Sequence, residues 1–231
     1  MQIITNTRLV ESRGTWGKRL TWVGLFLLFG AVLMPFREEL LAWSWPVMMA
    51  GFLVTNVGMY YYNRYARPPL PHEMLESALK GLDNRYRLFN FMGPVDHVLL
   101  TPVGVLVITL RRMGGDIRCR ENKWAMKTSL LSKLRLFTEE QLGNPGDDLL
   151  RDVKGLQKLL ELKLPADENE KPVPIGGFVY FGNPEARLTL DQPTVPVLHI
   201  KTIKDYLRRQ ASGERLSPAR MEAVAAILEG R

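Results

Sequence analysis

The sequence predicts an α/β domain preceded by a two-helix transmembrane hairpin, and three observations carry that prediction. Two long uncharged runs lie near the N-terminus, β-rich segments alternate with amphipathic ones after residue 72, and a proline cluster separates the two regions. The chain has 231 residues, 46% of them hydrophobic and 24% charged, which suits a full domain beside the hairpin and excludes a disordered chain.

The first run, Leu20 to Phe36, holds 17 residues without a charge, and the second, Leu40 to Tyr62, holds 23. A helix rises about 1.5 Å per residue, so roughly 20 apolar residues cross a hydrocarbon core of about 30 Å. Only Arg37-Glu38-Glu39 connects the runs, so they form a hairpin. Trp16, Trp22, Trp43, Trp45, Tyr60, Tyr61 and Tyr62 fall near the run ends, where amphipathic rings favour the membrane interface. Arg8, Arg13, Lys18 and Arg19 precede the first run and Arg64 and Arg67 follow the second, while the connection offers Arg37 alone. This positive-inside bias predicts a multi-pass protein of the cell membrane with both termini cytoplasmic. A cleaved signal peptide fits less well, because no small-x-small site precedes the second run. Burial of 23 uncharged residues in a soluble core fits less well too. The expected organisation is a cytoplasmic segment over 1–19, the hairpin over 20–65 with helices near 20–36 and 40–62, a linker over 66–71, and the domain over 72–231.

Arg67-Pro68-Pro69-Leu70-Pro71 predicts a stiff extended linker, since proline fixes φ and disfavours helix in the residue before it. Beyond it, Met74, Leu75, Ala78 and Leu79 are spaced as one face of a helix over His72–Gly81. Strands are expected at Arg85–Met92, Asp96–Thr101 and Val105–Arg111, followed by a hairpin turn at Gly114-Gly115-Asp116 and a fourth strand at Ile117–Arg120. Asp147–Leu164 is an amphipathic helix, with Leu149, Leu150, Val153, Leu156, Leu159, Leu160 and Leu164 on its apolar face. Asp167–Pro174 reads as a surface loop, Ile175–Phe181 as a buried central strand and Val195–Ile200 as another strand. Helices follow at Ile203–Gln210 and, capped by Ser217-Pro218, through Leu228. Helix, β-meander, helix and strand in this order predict a sandwich built on a mixed sheet.

Several motifs then stand in a characteristic order. Asp96-His97-Val98 opens one strand, Thr101-Pro102-Val103-Gly104-Val105 turns into the next, and Gly115-Asp116-Ile117, Trp124 and Asn144-Pro145 follow. Together with Gly177–Phe181 and Val197-Leu198, this pattern resembles the nuclease-related domain (NERD), a branch of the PD-(D/E)xK superfamily with a restriction-endonuclease-like fold. The resemblance covers most of 72–231. In that family an acid at the first strand and a Glu-x-Lys on the next hold a divalent ion and position the nucleophile. Here Asp96 matches the acid, but the Glu-x-Lys position reads Thr109-Leu110-Arg111. The family's Asn-Pro-x-x-Gln likewise ends here in Asp148.

The chemistry of such a site needs paired carboxylates around Mg²⁺ and a lysine near the attacking water. Asp96 supplies one metal ligand, Thr109 supplies no charge, and Arg111 stays protonated, so it clamps a phosphate or pairs with Asp96 but does not act as a base. The expectation is a pseudoenzyme: a binding or scaffold module without cofactor, whose partners are the bilayer and nucleic acid, anionic lipid or protein, with no small-molecule substrate. The alternative is a Mg²⁺-dependent endonuclease in which Glu73 or Glu76, from the first helix of the domain, replaces the missing acid.

From Arg111 to Arg135 the chain carries eight basic residues (Arg111, Arg112, Arg118, Arg120, Lys123, Lys127, Lys133, Arg135) against Asp116 and Glu121, a net +6 of the chain's +7. Such a run suits a phosphate backbone, anionic headgroups or simple solvation. The lone Cys119 excludes an intramolecular disulfide, and its neighbours Arg118 and Arg120 are expected to lower its pKa. His72, His97 and His199 show no metal-ligand spacing.

Overall fold

A computed structural model describes residues 1–127, 141–164 and 172–230. Lys133, Arg135 and the first part of the Asp167–Pro174 loop lie outside them. The described chain divides into two compact units, one of residues 7–71 and one of residues 1–6 together with everything described from 72 onward.

The first unit is a helical pair. Helix α1 (Thr7–Leu33) and helix α2 (Leu41–Tyr65) are joined by short 3₁₀ turns at Met34–Phe36 and Glu38–Leu40. Both are long and apolar enough to cross a membrane. Helix α1 begins well before Leu20, because Arg8, Arg13, Lys18 and Arg19 end the apolar run without breaking a helix. All but one of the buried positions repeat every seventh residue: Val10, Gly17, Gly24 and Ala31 on α1, with Gly14 between, and Ser44, Gly51, Gly58 and Tyr65 on α2. A strict seven-residue repeat keeps one seam facing the partner helix. The seam is made of small residues, so the backbones approach closely. A Cβ placed on Gly17 would sit 2.5 Å from the Tyr62 amide nitrogen, and one on Gly51 would sit 2.9 Å from that of Leu28. Thr21 and Thr55 bond back to Gly17 O (2.8 Å) and Gly51 O (2.7 Å), which satisfies their hydroxyls inside the pair. Phe26, Phe29, Trp43, Trp45 and Phe52 point away from the seam and remain exposed.

The second unit is a mixed α/β fold. Its main sheet has the order β1-β2-β3-β4-β7-β9. Strands β2 (Arg87–Asn90), β3 (His97–Thr101) and β4 (Gly104–Arg111) form the antiparallel meander, and β7 (Ile175–Phe181) and β9 (Val197–His199) add in parallel beyond β4. The edge strand β1 (Gln2–Thr5) pairs in parallel with β2, so residues taken from the sequence as a cytoplasmic lead-in to the hairpin belong to the sheet. Four residues of β pattern ahead of a helix carry too little periodicity to be read alone.

Strand alternation divides the core. Val98, Leu100, Val105, Val107, Val179 and Phe181 face α4 (Pro145–Lys163) and α6 (Pro218–Glu229). Leu88, Leu99, Ile108, Leu110, Phe178 and Tyr180 face α3 (Pro71–Leu79) and α5 (Ile203–Gln210). Helix α4 starts two residues ahead of the expected Asp147: Asn144 Oδ1 accepts from the amides of Gly146 and Asp147, and Pro145 occupies the first turn.

The Gly114-Gly115-Asp116 step does not make a β-hairpin. It carries the chain into a second sheet of order β6-β5-β8, comprising β5 (Gly115–Arg120), β6 (Lys123–Met126) and β8 (Ala186–Asp191). The parallel neighbours β4 and β7 leave the first sheet at the same height. Gly182 N donates to Arg111 O (3.0 Å), Asn183 Nδ2 to Arg112 O (3.1 Å) and Gly115 N to Glu185 O (3.2 Å). Both strands therefore continue as the parallel pair β5 and β8.

Candidate functional site

Thr109 and Arg111 lie on the α4 side of β4, in the alternation set by Val105 and Val107. Asp96 stands just before β3 begins at His97, ahead of the Val98–Val107 pair of β3 and β4. The turn that delivers Asp96 is held by its carbonyl, which accepts from Phe91 N at 2.7 Å. Phe91 has φ 56°, a left-handed conformation that costs a bulky residue energy and persists only where its surroundings hold it. Its ring is held between His97 at 5.0 Å and His72 at 6.3 Å.

The arginine is committed within the fold. Arg111 Nη2 donates to Asp148 Oδ2 at 2.5 Å, from a side chain only 14% exposed. Asp148 Oδ1 takes a second guanidinium, that of Arg151, at 3.1 Å. Asp148 is thus the residue the sequence argument passed over. It was legible as the departure from Asn-Pro-x-x-Gln, in the same register of motifs where lysine had become arginine. Thr109 is 6% exposed, and its hydroxyl has no partner among the described residues.

Glu73 is exposed and Glu76 half-buried on α3, whose apolar residues Leu75 and Leu79 pack on the sheet face opposite to Thr109 and Arg111. Among the described residues, no three His, Cys, Asp or Glu side chains converge as metal ligands.

His97 faces away from Asp96's strand neighbours, with Nδ1 2.8 Å from Asn90 Oδ1, and Asn90 Nδ2 donates to Thr5 Oγ1 at 3.0 Å. It joins the edge strand β1 to the sheet. Behind the site, Tyr180 has a buried hydroxyl without a partner among the described residues, and burial pushes its phenol up to about 12. Tyr180→Phe removes that unpaired group and is expected to raise stability by about 1 kcal/mol, seen as slower amide exchange in β7.

The basic run is split by the fold. Arg111 and Arg112 end β4, while Arg118, Arg120 and Lys123 are exposed on the second sheet and Lys127 follows it. Cys119 points the other way, and burial pushes its thiol above the ordinary value of 9.0. The lowering expected from Arg118 and Arg120 does not occur, because strand alternation puts those guanidinium groups on the opposite face. Alkylation of Cys119 by iodoacetamide at neutral pH should run at least about tenfold slower than that of a free thiol.

No family model, no curated protein and no solved structure matches this chain.

Proposed function

We propose that this protein is a membrane-anchored, nuclease-related-domain protein that binds and scaffolds at the cytoplasmic membrane face and does not cleave. The observation that carries this reading is the Arg111–Asp148 pair: the cation standing where a catalytic lysine is expected is neutralised by a carboxylate of the fold. Thr109 beside it offers a hydroxyl in place of the second metal ligand. The order of β2, β3, β4, α4 and β7 supports the restriction-endonuclease-like assignment.

Anchoring is supported by the two long apolar helices and by their uncovered aromatic surface. Residues 1–6 and the chain from 72 onward belong to one unit, so both ends of the hairpin return to the same body. That agrees with two spans and with both termini on one side, the side favoured by Arg8, Arg13, Arg64 and Arg67.

The test is nuclease activity of the full-length protein in detergent or nanodiscs, with Mg²⁺ or Mn²⁺, on single- and double-stranded substrates. The expected result is no cleavage above that of Asp96→Ala. Metal-dependent cleavage that disappears in Asp96→Ala would establish the endonuclease alternative instead.

A further inference from the structure

We infer that the outer face of the β6-β5-β8 sheet docks on anionic lipid headgroups of the membrane that holds the hairpin, an inference that rests on the membrane-anchored reading above. Strand alternation buries Ile117 and Cys119 and leaves Arg118 and Arg120 exposed. In register beside them stand Lys123 and Ala125 of β6, and Arg187, Thr189 and Asp191 of β8. Arg118 sits at the centre, between Ala125 and Thr189, two small side chains that leave its guanidinium open.

The internal charge compensation of this face is incomplete. Arg120 meets Asp191 at 3.5 Å and Arg187 meets Asp116 at 4.0 Å, all on well-exposed side chains. Arg118 and Lys123 have no ion-pair partner among the described residues. Arg120 and Lys123 are also directly opposite one another across β5 and β6. Like charges in that arrangement repel, with Cβ atoms about 5 Å apart, and an anion lying over the strands relieves the repulsion.

The chemistry favours headgroups over nucleic acid. Base binding on a sheet needs rings on the open face, and the one aromatic residue of these three strands, Trp124, packs inward with its ring 5.9 Å from Phe181. The tethers are short as well. Strand β1 ends at Thr5 and α1 begins at Thr7, while only residues 66–70 separate α2 from α3. Five extended residues reach at most about 18 Å, so the domain stays among headgroups at high effective concentration. Under those conditions each basic residue near an anionic surface contributes about fivefold to binding.

The experiment places a bimane label on Thr189→Cys in full-length protein carrying Cys119→Ala, reconstituted in nanodiscs of phosphatidylcholine alone or with about 30% phosphatidylserine. Quenching by neutral acrylamide is expected to fall about threefold in the anionic discs and to recover at about 0.5 M salt. R118E/R120E/K123E should abolish the shielding, and K201E/R208E/R209E, an equal charge change on exposed residues around α5, should retain it. Equal quenching in both disc types, or equal loss in both triple variants, overturns the inference. Shielding by duplex DNA in neutral discs that exceeds shielding by anionic lipid also overturns it and assigns the face to nucleic acid. Metal-dependent cleavage would sink the non-cleaving reading while leaving these shielding results standing, so the two failures are separable.

Discussion

Gly24→Leu is expected to drive the two long helices apart and lower the stability of the pair by about 3 kcal/mol or more, because the clash is with backbone and no rotamer relieves it. A Cβ on Gly24 would stand 2.5 Å from the amide nitrogen of Thr55, and closer still to its hydroxyl. Gly30 supplies the control: the same substitution there meets nothing within 4 Å on any neighbour. Titrating the protein from mild detergent into SDS, with loss of helix packing followed by fluorescence of Trp22 and Trp43, separates the two variants. The seven-residue seam is wrong if Gly24→Leu and Gly30→Leu unfold at the same midpoint.

Asp148→Ala is expected to destabilise the α/β unit by about 2 kcal/mol, since it removes a carboxylate held at 2.5 Å from the largely buried guanidinium of Arg111. Arg151 gains nothing from the change, because its own partner at 3.1 Å is the same carboxylate. Amide hydrogen exchange at Thr109–Arg111 and through the first turn of α4 reads the loss. The double replacement Arg111→Met with Asp148→Leu should restore most of it, as apolar pairs of similar volume often replace buried ion pairs without cost. If the double variant exchanges as fast as Asp148→Ala, the pair is not what makes this corner of the domain stable. Activity assays on the same variants add a second reading. Freeing Arg111 from Asp148 is not expected to create a nuclease, since Thr109 still lacks a charge.

Much of the domain was legible because its signals are local. Ser217-Pro218 marks a helix start through capping chemistry that acts within one turn, and that helix begins there, while the long helix begins at Pro145, two residues ahead of the Asp147 read from its apolar spacing. Ile175–Phe181 is a β-rich run whose bounds the structure reproduces. What escaped depends on partners far away in the chain. Strand β1 is four residues paired with β2 more than 80 positions later, and β8 is held by β5 across the intervening β6, α4 and β7. The alternation of Ala186, Leu188 and Leu190 against Arg187, Thr189 and Asp191 was present in the sequence. The candidate site shows the same division. The change from Glu-x-Lys to Thr109-Leu110-Arg111 could be read directly, while the pairing of Arg111 with Asp148 needed the position of α4. The seven-residue repeat of Gly17, Gly24, Gly51 and Gly58 was also open to inspection, hidden behind the stronger signal of hydropathy.

The place of β1 bears on the order of synthesis. Gln2–Thr5 is made first, yet the strand it must join, Arg87–Asn90, follows only after both apolar helices have been completed. Closing a loop of that length costs entropy that must be met before the edge pairing returns any. The first residues therefore have no strand partner until both long helices have been made. The sheet edge depends on chain made long after it, so a failure of the helical pair to form is expected to register at β1.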